Sequence, residues 1–273
     1  MSTSLKLTTP VVSVSWLHNH LDAENLVVLD GTVGKTPDDN SSQIPKARFF
    51  DLQNKFSNIN DPFPNAFPSM EQFEKEAQAL GINSDTAIVV YDDKGIYSSA
   101  RVWWMFKAFG HDNVAVLSGG FPAWEKGEYP AEKVLSYSGK EGNFKARLHP
   151  EMMDFFNDVK IAVQNNTHTT IDARSADRFE GKVPEPRVGL RQGTIPNSVN
   201  LPFNDLLEDG CLKPKTELEK AFKKVADKND PIIFSCGSGI TACVLALGAT
   251  VADYNNIAVY DGSWTEWGSL VKA

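Results

Sequence analysis

The stretch Pro231-Ile-Ile-Phe-Ser-Cys236-Gly-Ser-Gly-Ile-Thr241 decides how the rest of the chain is read. Ile232, Ile233 and Phe234 form a short apolar run led by proline, which reads as a buried parallel strand. From Ala242 to Ala252 the chain is alanine-rich and apolar almost all round, too long for a strand, and predicts a buried helix. Cys236 therefore lies at a strand-to-helix turn. Gly237 and Gly239 are expected to let the backbone curl there, with N–H groups converging on the sulfur and the helix N-terminus favouring negative charge. Such a setting stabilises a thiolate, the nucleophilic form of cysteine. A cysteine that is only a small buried hydrophobe needs neither the glycines nor Ser238 and Thr241. A phosphate-holding cysteine loop would need an arginine where Ala242 stands.

The same order of elements occurs twice. In the first half, strands are expected over Leu26–Asp30, Ile44–Asp51, Ala87–Tyr91 and Val114–Leu117, with helices over Met70–Leu80 and Tyr97–Phe109. Thr169–Ala173, Ile195–Pro202, Pro231–Ser235 and Ile257–Trp267 answer the four strand regions in turn. Strands alternating with helices argue for parallel sheets covered on both faces. The repeat predicts one domain over 1–130, a polar linker over 131–149 and a second domain over 150–273. Gly95-Ile96 aligns with Gly239-Ile240, and the same offset sets Asp92 against Cys236. The first half thus has the loop without the nucleophile and is expected to be catalytically inactive.

Composition bounds the function. With 27 Lys+Arg against 35 Asp+Glu the net charge is −8, which excludes a nucleic-acid-binding footprint. No apolar run approaches membrane-spanning length. The opening residues lack both the apolar run of a secretory leader and an Arg-rich amphipathic character. Cys211, Cys236 and Cys243 make neither a disulfide framework nor a metal motif. A reducing cytoplasm fits these features, and neither a metal nor a cofactor is called for.

Cys236-Gly-Ser-Gly-Ile-Thr-Ala-Cys243 resembles the active-site loop of the rhodanese superfamily, and in particular of its tandem-domain 3-mercaptopyruvate sulfurtransferases. The likeness runs through nearly the whole chain. It implies an α/β fold of two rhodanese-like domains, each a parallel sheet flanked by helices on both faces. An inactive N-terminal domain is paired with an active C-terminal one, and the site is expected in a cleft between them. By the resemblance, Cys236 takes a sulfane sulfur, becomes a persulfide, and passes the outer sulfur to cyanide, a small thiol or a thioredoxin-like acceptor.

The catalytic loop then comprises Cys236, Gly237, Ser238, Gly239, Ile240 and Thr241. The segment from Arg178 to Arg187 is similar to the pattern whose two arginines hold the substrate's carboxylate and carbonyl, a task that suits the planar guanidinium fork. Arg174, close to Asp172, is expected to be a structural ion-pair partner instead. Thiosulfate-specific relatives place basic residues where Gly237 and Ser238 stand, so this neutral loop favours 3-mercaptopyruvate as the small-molecule donor. A thiosulfate:cyanide sulfurtransferase and a persulfide carrier or docking module remain the alternatives. Some family members are proposed to use a serine, histidine and aspartate relay. The serine matches Ser238, but the other two positions fall on Gln53 and Asn65, neither of which is a base. The histidine of the family's Gly-His-Ile-Pro turn is Thr194 here.

Overall fold

The apolar runs form two parallel five-stranded sheets in the computed structural model, which describes residues 4–36 and 41–272. The chain divides into two compact units. The first comprises Met1–Asn58, Phe67–His149 and Asp209–Leu212, and the second Ile59–Ala66, Pro150–Glu208 and Lys213–Ala273.

In the first unit the elements are β1 (Val11–Val12), α1 (Val14–His20), β2 (Leu26–Asp30), β3 (Arg48–Phe49), α2 (Met70–Ala79), β4 (Ala87–Tyr91), α3 (Ser99–Ala108), β5 (Val114–Leu117) and α4 (Gly120–Lys126). The strand order is β1-β5-β4-β2-β3, all parallel. Every residue of β4 is buried, as expected of a strand covered on both faces. Phe50, Phe56, Phe73 and Phe106 stack and tilt against one another in the core, with ring centroids from 3.6 to 6.4 Å apart.

In the second unit they are β6 (Met153–Asp154), α5 (Phe156–Asn165), β7 (Thr169–Asp172), α6 (Ala176–Phe179), β8 (Val199–Asn200), α7 (Lys215–Lys223), β9 (Ile232–Ser235), α8 (Ala242–Val251), β10 (Ile257–Tyr260) and α9 (Ser263–Leu270). The order β8-β7-β9-β10-β6 repeats that of the first sheet. Residues 242–249 of α8 are all buried, so the all-round apolar reading of this helix holds.

Three expectations change. The strands read over Ile44–Asp51 and Ile195–Pro202 shrink to Arg48–Phe49 and Val199–Asn200 at the sheet edges. Pro45 and Pro196 have no N–H to give a ladder. Lys46 and Asn197 turn the chain at φ 64° and 60°. The helix read from Tyr97 starts at Ser99, because the N–H groups of Tyr97 and Ser99 are drawn to the Asp92 carboxylate. The stretch read as a polar linker, 131–149, packs onto the first unit. Glu132–Lys133 pairs antiparallel with Ser42–Gln43, and Phe144 is buried against Phe73 and Phe106. Among the described residues no helix is long and apolar enough to cross a membrane.

Candidate active site

The second sheet delivers Cys236 to its carboxyl edge. β9 ends at Ser235, in register with Asp172 of β7, and Cys236 follows with no exposed surface. Ser263, at the start of α9, anchors the loop from beneath. Its Oγ accepts the N–H groups of Cys236 (3.0 Å) and Gly239 (3.2 Å), donates to the Tyr260 carbonyl (2.9 Å), and lies 3.8 Å from Cys236 Sγ. These two loop N–H groups therefore converge on Ser263 rather than on the sulfur, which revises the sequence expectation. Ser263 holds φ 50°, a left-handed conformation uncommon outside glycine.

The two loop glycines have different reasons to be there. Gly239 has φ 74° and needs the freedom of glycine. Gly237 is not in the left-handed region. A Cβ there would stand 3.1 Å from Arg178 Nη2, so its bare backbone leaves room for that guanidinium. Ile240 is buried, and Thr241 occupies the N-cap position of α8 without a side-chain cap bond. Cys243 is also buried, with its Sγ donating to the Gly239 carbonyl at 3.3 Å.

Arg178 is held by a chain of buried charges. Arg174 donates from Nε and Nη2 to the Asp172 carboxylate (2.7–3.1 Å) and from Nη1 to Glu185 Oε1 (2.8 Å). Its guanidinium lies 4.9 Å from the centroid of the Trp264 ring. The other oxygen of Glu185 accepts from Arg178 Nη2 at 2.6 Å. Asp172, Arg174 and Glu185 have side chains at most 1% exposed, while that of Arg178 is 24% exposed. Arg174 is thus the structural partner expected, and Arg178 is the end of the chain that solvent and ligands can reach.

Arg187 is linked to the same loop through Thr265. Its Nη1 donates to Thr265 Oγ1 at 3.1 Å. The Thr265 hydroxyl and N–H both donate to the Gly237 carbonyl. The structure therefore brings Arg178, Arg187 and the Cys236 loop together around residue 237.

The first unit carries a counterpart of this loop in which Asp92 occupies the place of Cys236. One Asp92 oxygen accepts from Lys94 N (2.9 Å), the other from Tyr97 N and Ser99 N (both 2.8 Å). The loop of the first unit is thus an anion cradle filled by a fixed carboxylate. Burial, and then the charge of Asp92, push the neighbouring Asp93 carboxyl above its usual range. Gly120 here has φ 55°, matching Ser263 at φ 50°.

Of the two relay positions, Asn65 reaches the loop. Its Nδ2 donates to Ser238 Oγ at 3.2 Å and to the Ser238 carbonyl at 3.4 Å. Gln53 Oε1 instead accepts from Gly34 N in the first unit. Ser263, Thr265 and Glu185 escaped the sequence reading. The duplication held a signal for Ser263: Gly119-Gly-Phe121 aligns with Gly262-Ser-Trp264, and both middle residues are left-handed. Glu185 had none, because nothing in its spacing says that it bridges two arginines.

The fold and loop define a sulfur-handling class. A family model described as a rhodanese-like domain matches residues 13–127 and 156–270, and the chain belongs to that family. It is 37% identical to the 3-mercaptopyruvate sulfurtransferase of Escherichia coli K12 over 96% of both chains. It is 39% identical to the mitochondrial thiosulfate/3-mercaptopyruvate sulfurtransferase 1 of Arabidopsis thaliana, over 97% of this chain and 78% of that one. The solved structure of SseA from Escherichia coli, a 3-mercaptopyruvate sulfotransferase of rhodanese fold, superposes with a TM-score of 0.83 at 34% identity, covering 94% of this chain and 99% of that one.

Proposed function

We propose that this protein is a sulfurtransferase that takes sulfur from 3-mercaptopyruvate onto Cys236 as a persulfide. The observation that supports it most directly is the convergence of Arg178 and Arg187 on Gly237, next to the cysteine. Two guanidinium groups beside the loop that carries the nucleophile suit a small acid whose carboxylate and carbonyl are gripped while its sulfur lies over the thiolate. In this reading the second unit, with the loop from Cys236 to Thr241, is the catalytic domain and the first is inactive.

Chemically, the Cys236 thiolate attacks the donor's sulfur. The new S–S bond forms as the C–S bond breaks, and the electron pair leaves on carbon as the pyruvate enolate, which water protonates. An acceptor thiolate or cyanide then attacks the outer sulfur, and the electron pair of the S–S bond returns to Cys236. A small thiol, cyanide or a thioredoxin-like dithiol fits that second step. The three free cysteines suit a reducing compartment, and we assign the enzyme to the cytoplasm.

Steady-state turnover with both donors tests this reading. Each charge-assisted bond is worth roughly 1.5–3 kcal/mol, so Arg178→Ala or Arg187→Ala should lower kcat/KM for 3-mercaptopyruvate by about one to two orders of magnitude. Thiosulfate, which lacks a carboxylate, should be the poorer donor and lose less. Wild-type protein preferring thiosulfate, or equal losses with both donors, would refute the assignment of the arginines to the keto acid.

A further inference from the structure

Asn65 stands where a relay base would be expected and cannot act as one, yet it is aimed at the catalytic loop. It holds φ 60°, a conformation asparagine tolerates better than most residues. From there its amide meets Ser238 at two points, Oγ and the carbonyl oxygen. The carbonyl fixes the orientation of that amide. A carbonyl only accepts, so the group facing it must be the NH2 and not the amide oxygen. The same NH2 therefore donates to Ser238 Oγ, and one lone pair of that oxygen is engaged. The Ser238 hydroxyl proton is left to be given elsewhere. Ser238 is half-buried, whereas Cys236 beside it is fully buried, so of the two it is Ser238 that has exposed surface.

We propose that Asn65 is a positioning residue that makes Ser238 a one-way hydrogen-bond donor to the sulfur donor, and that no proton is passed beyond Ser238. The inference rests on the function proposed above. As the C–S bond of 3-mercaptopyruvate breaks, negative charge builds on the enolate oxygen, and a hydroxyl already turned to donate stabilises it without reorganising. An amide does not take up a proton in this pH range, so Ser238 keeps its own. The enolate carbon receives its proton from water, and the atoms balance with no base at position 65.

The test compares Asn65→Gly, Asn65→Asp, Ser238→Ala and the double variant Asn65→Gly/Ser238→Ala. Glycine removes the amide while accepting the left-handed backbone. Aspartate has the same shape, but its carboxylate accepts from Ser238 and so turns the hydroxyl away from the donor. Single-turnover persulfide formation from 3-mercaptopyruvate is followed by intact-protein mass, with a melting curve for each variant. Asn65→Gly and Ser238→Ala should each slow the step roughly three- to tenfold, the worth of one neutral hydrogen bond. The double variant should be no slower than Ser238→Ala, because the part of Asn65 in the reaction runs through that hydroxyl and its contact with the Ser238 carbonyl touches no reacting atom. Asn65→Asp should be at least as slow as Asn65→Gly. Losses that multiply in the double variant, a wild-type rate in Asn65→Asp, or a fully active Ser238→Ala would each overturn the inference. These outcomes leave the persulfide assignment standing, since that fails on a different result, sulfur gained by Cys236→Ser or mapped to another cysteine.

Discussion

Glu185→Gln probes the charge chain that fixes Arg178. Asp172, Arg174, Glu185 and Arg178 balance as two acids and two bases, and Glu185 serves both guanidinium groups at 2.6 and 2.8 Å. Glutamine has nearly the same size, keeps one acceptor oxygen and turns an NH2 toward the second guanidinium. One charge-assisted bond is lost, the other weakens, and Arg178 loses its counter-charge while the buried Arg174 keeps Asp172. Removing one partner of a buried ion pair costs about 3–5 kcal/mol. With an m-value of about 2 kcal/mol/M, the urea midpoint of the second unit should fall by roughly 1.5–2.5 M. Because Arg178 loses its anchor, KM for 3-mercaptopyruvate should rise about tenfold in protein that remains folded, while single-turnover persulfide formation at saturating donor changes less. An unchanged midpoint together with an unchanged KM would refute the claim that Glu185 positions Arg178. A midpoint that falls while KM holds would make the chain purely structural.

Three more predictions follow from the same geometry. Gly237→Ala places a methyl group 3.1 Å from Arg178 Nη2, so it should raise KM for 3-mercaptopyruvate several-fold with little effect on melting; an unchanged KM would show that the approach is not needed. Asp92→Asn keeps an acceptor for the cradle in the first unit and should leave persulfide formation intact, whereas Asp92→Ala strands three N–H groups, that of Ser99 buried, and should lower the melting temperature; loss of persulfide in well-folded Asp92→Asn would give the first unit a chemical role. Burial pushes the His111 imidazole below its usual pKa and outweighs the opposing pull of the Thr86 carbonyl, 2.8 Å from Nε2, so the folded state favours the neutral ring. Its contribution is complete above the unfolded value of about 6.5 and is lost as pH falls below it. Wild-type protein should therefore lose more stability than His111→Gln between pH 7.5 and 5.5 in denaturant titrations, and parallel losses would exclude His111 as a source.

The sheets and the loop were legible because their signals are local. Apolar runs closed by Asp30, Tyr91, Asp172 and Ser235 mark strand ends directly, and the repeat of Gly95-Ile96 in Gly239-Ile240 superposes the two loops without outside help. The edge strands were overread because Pro45-Lys46 and Pro196-Asn197 look like interruptions within apolar runs, although they are turns. The packed strap over 131–149 was read as linker because its polar composition conceals one deciding residue, Phe144. Within the candidate site, Cys236 stands out by its glycine turn, and Arg178 and Arg187 by the family pattern that their segment resembles. Ser263, Thr265, Glu185 and the Asn65 contact with Ser238 are tertiary facts. Each depends on which oxygen faces which donor after folding, and a one-dimensional pattern does not encode that.

The central claim is that Cys236 carries the sulfur. Its most direct test is an intact-protein mass spectrum before and after addition of 3-mercaptopyruvate, followed by peptide mapping in wild-type protein and in Cys236→Ser. The wild type should gain the mass of one sulfur atom, mapped to Cys236 and removed by a thiol or cyanide, and Cys236→Ser should gain none. A full-size adduct in Cys236→Ser, or one mapped to Cys211 or Cys243, would contradict it.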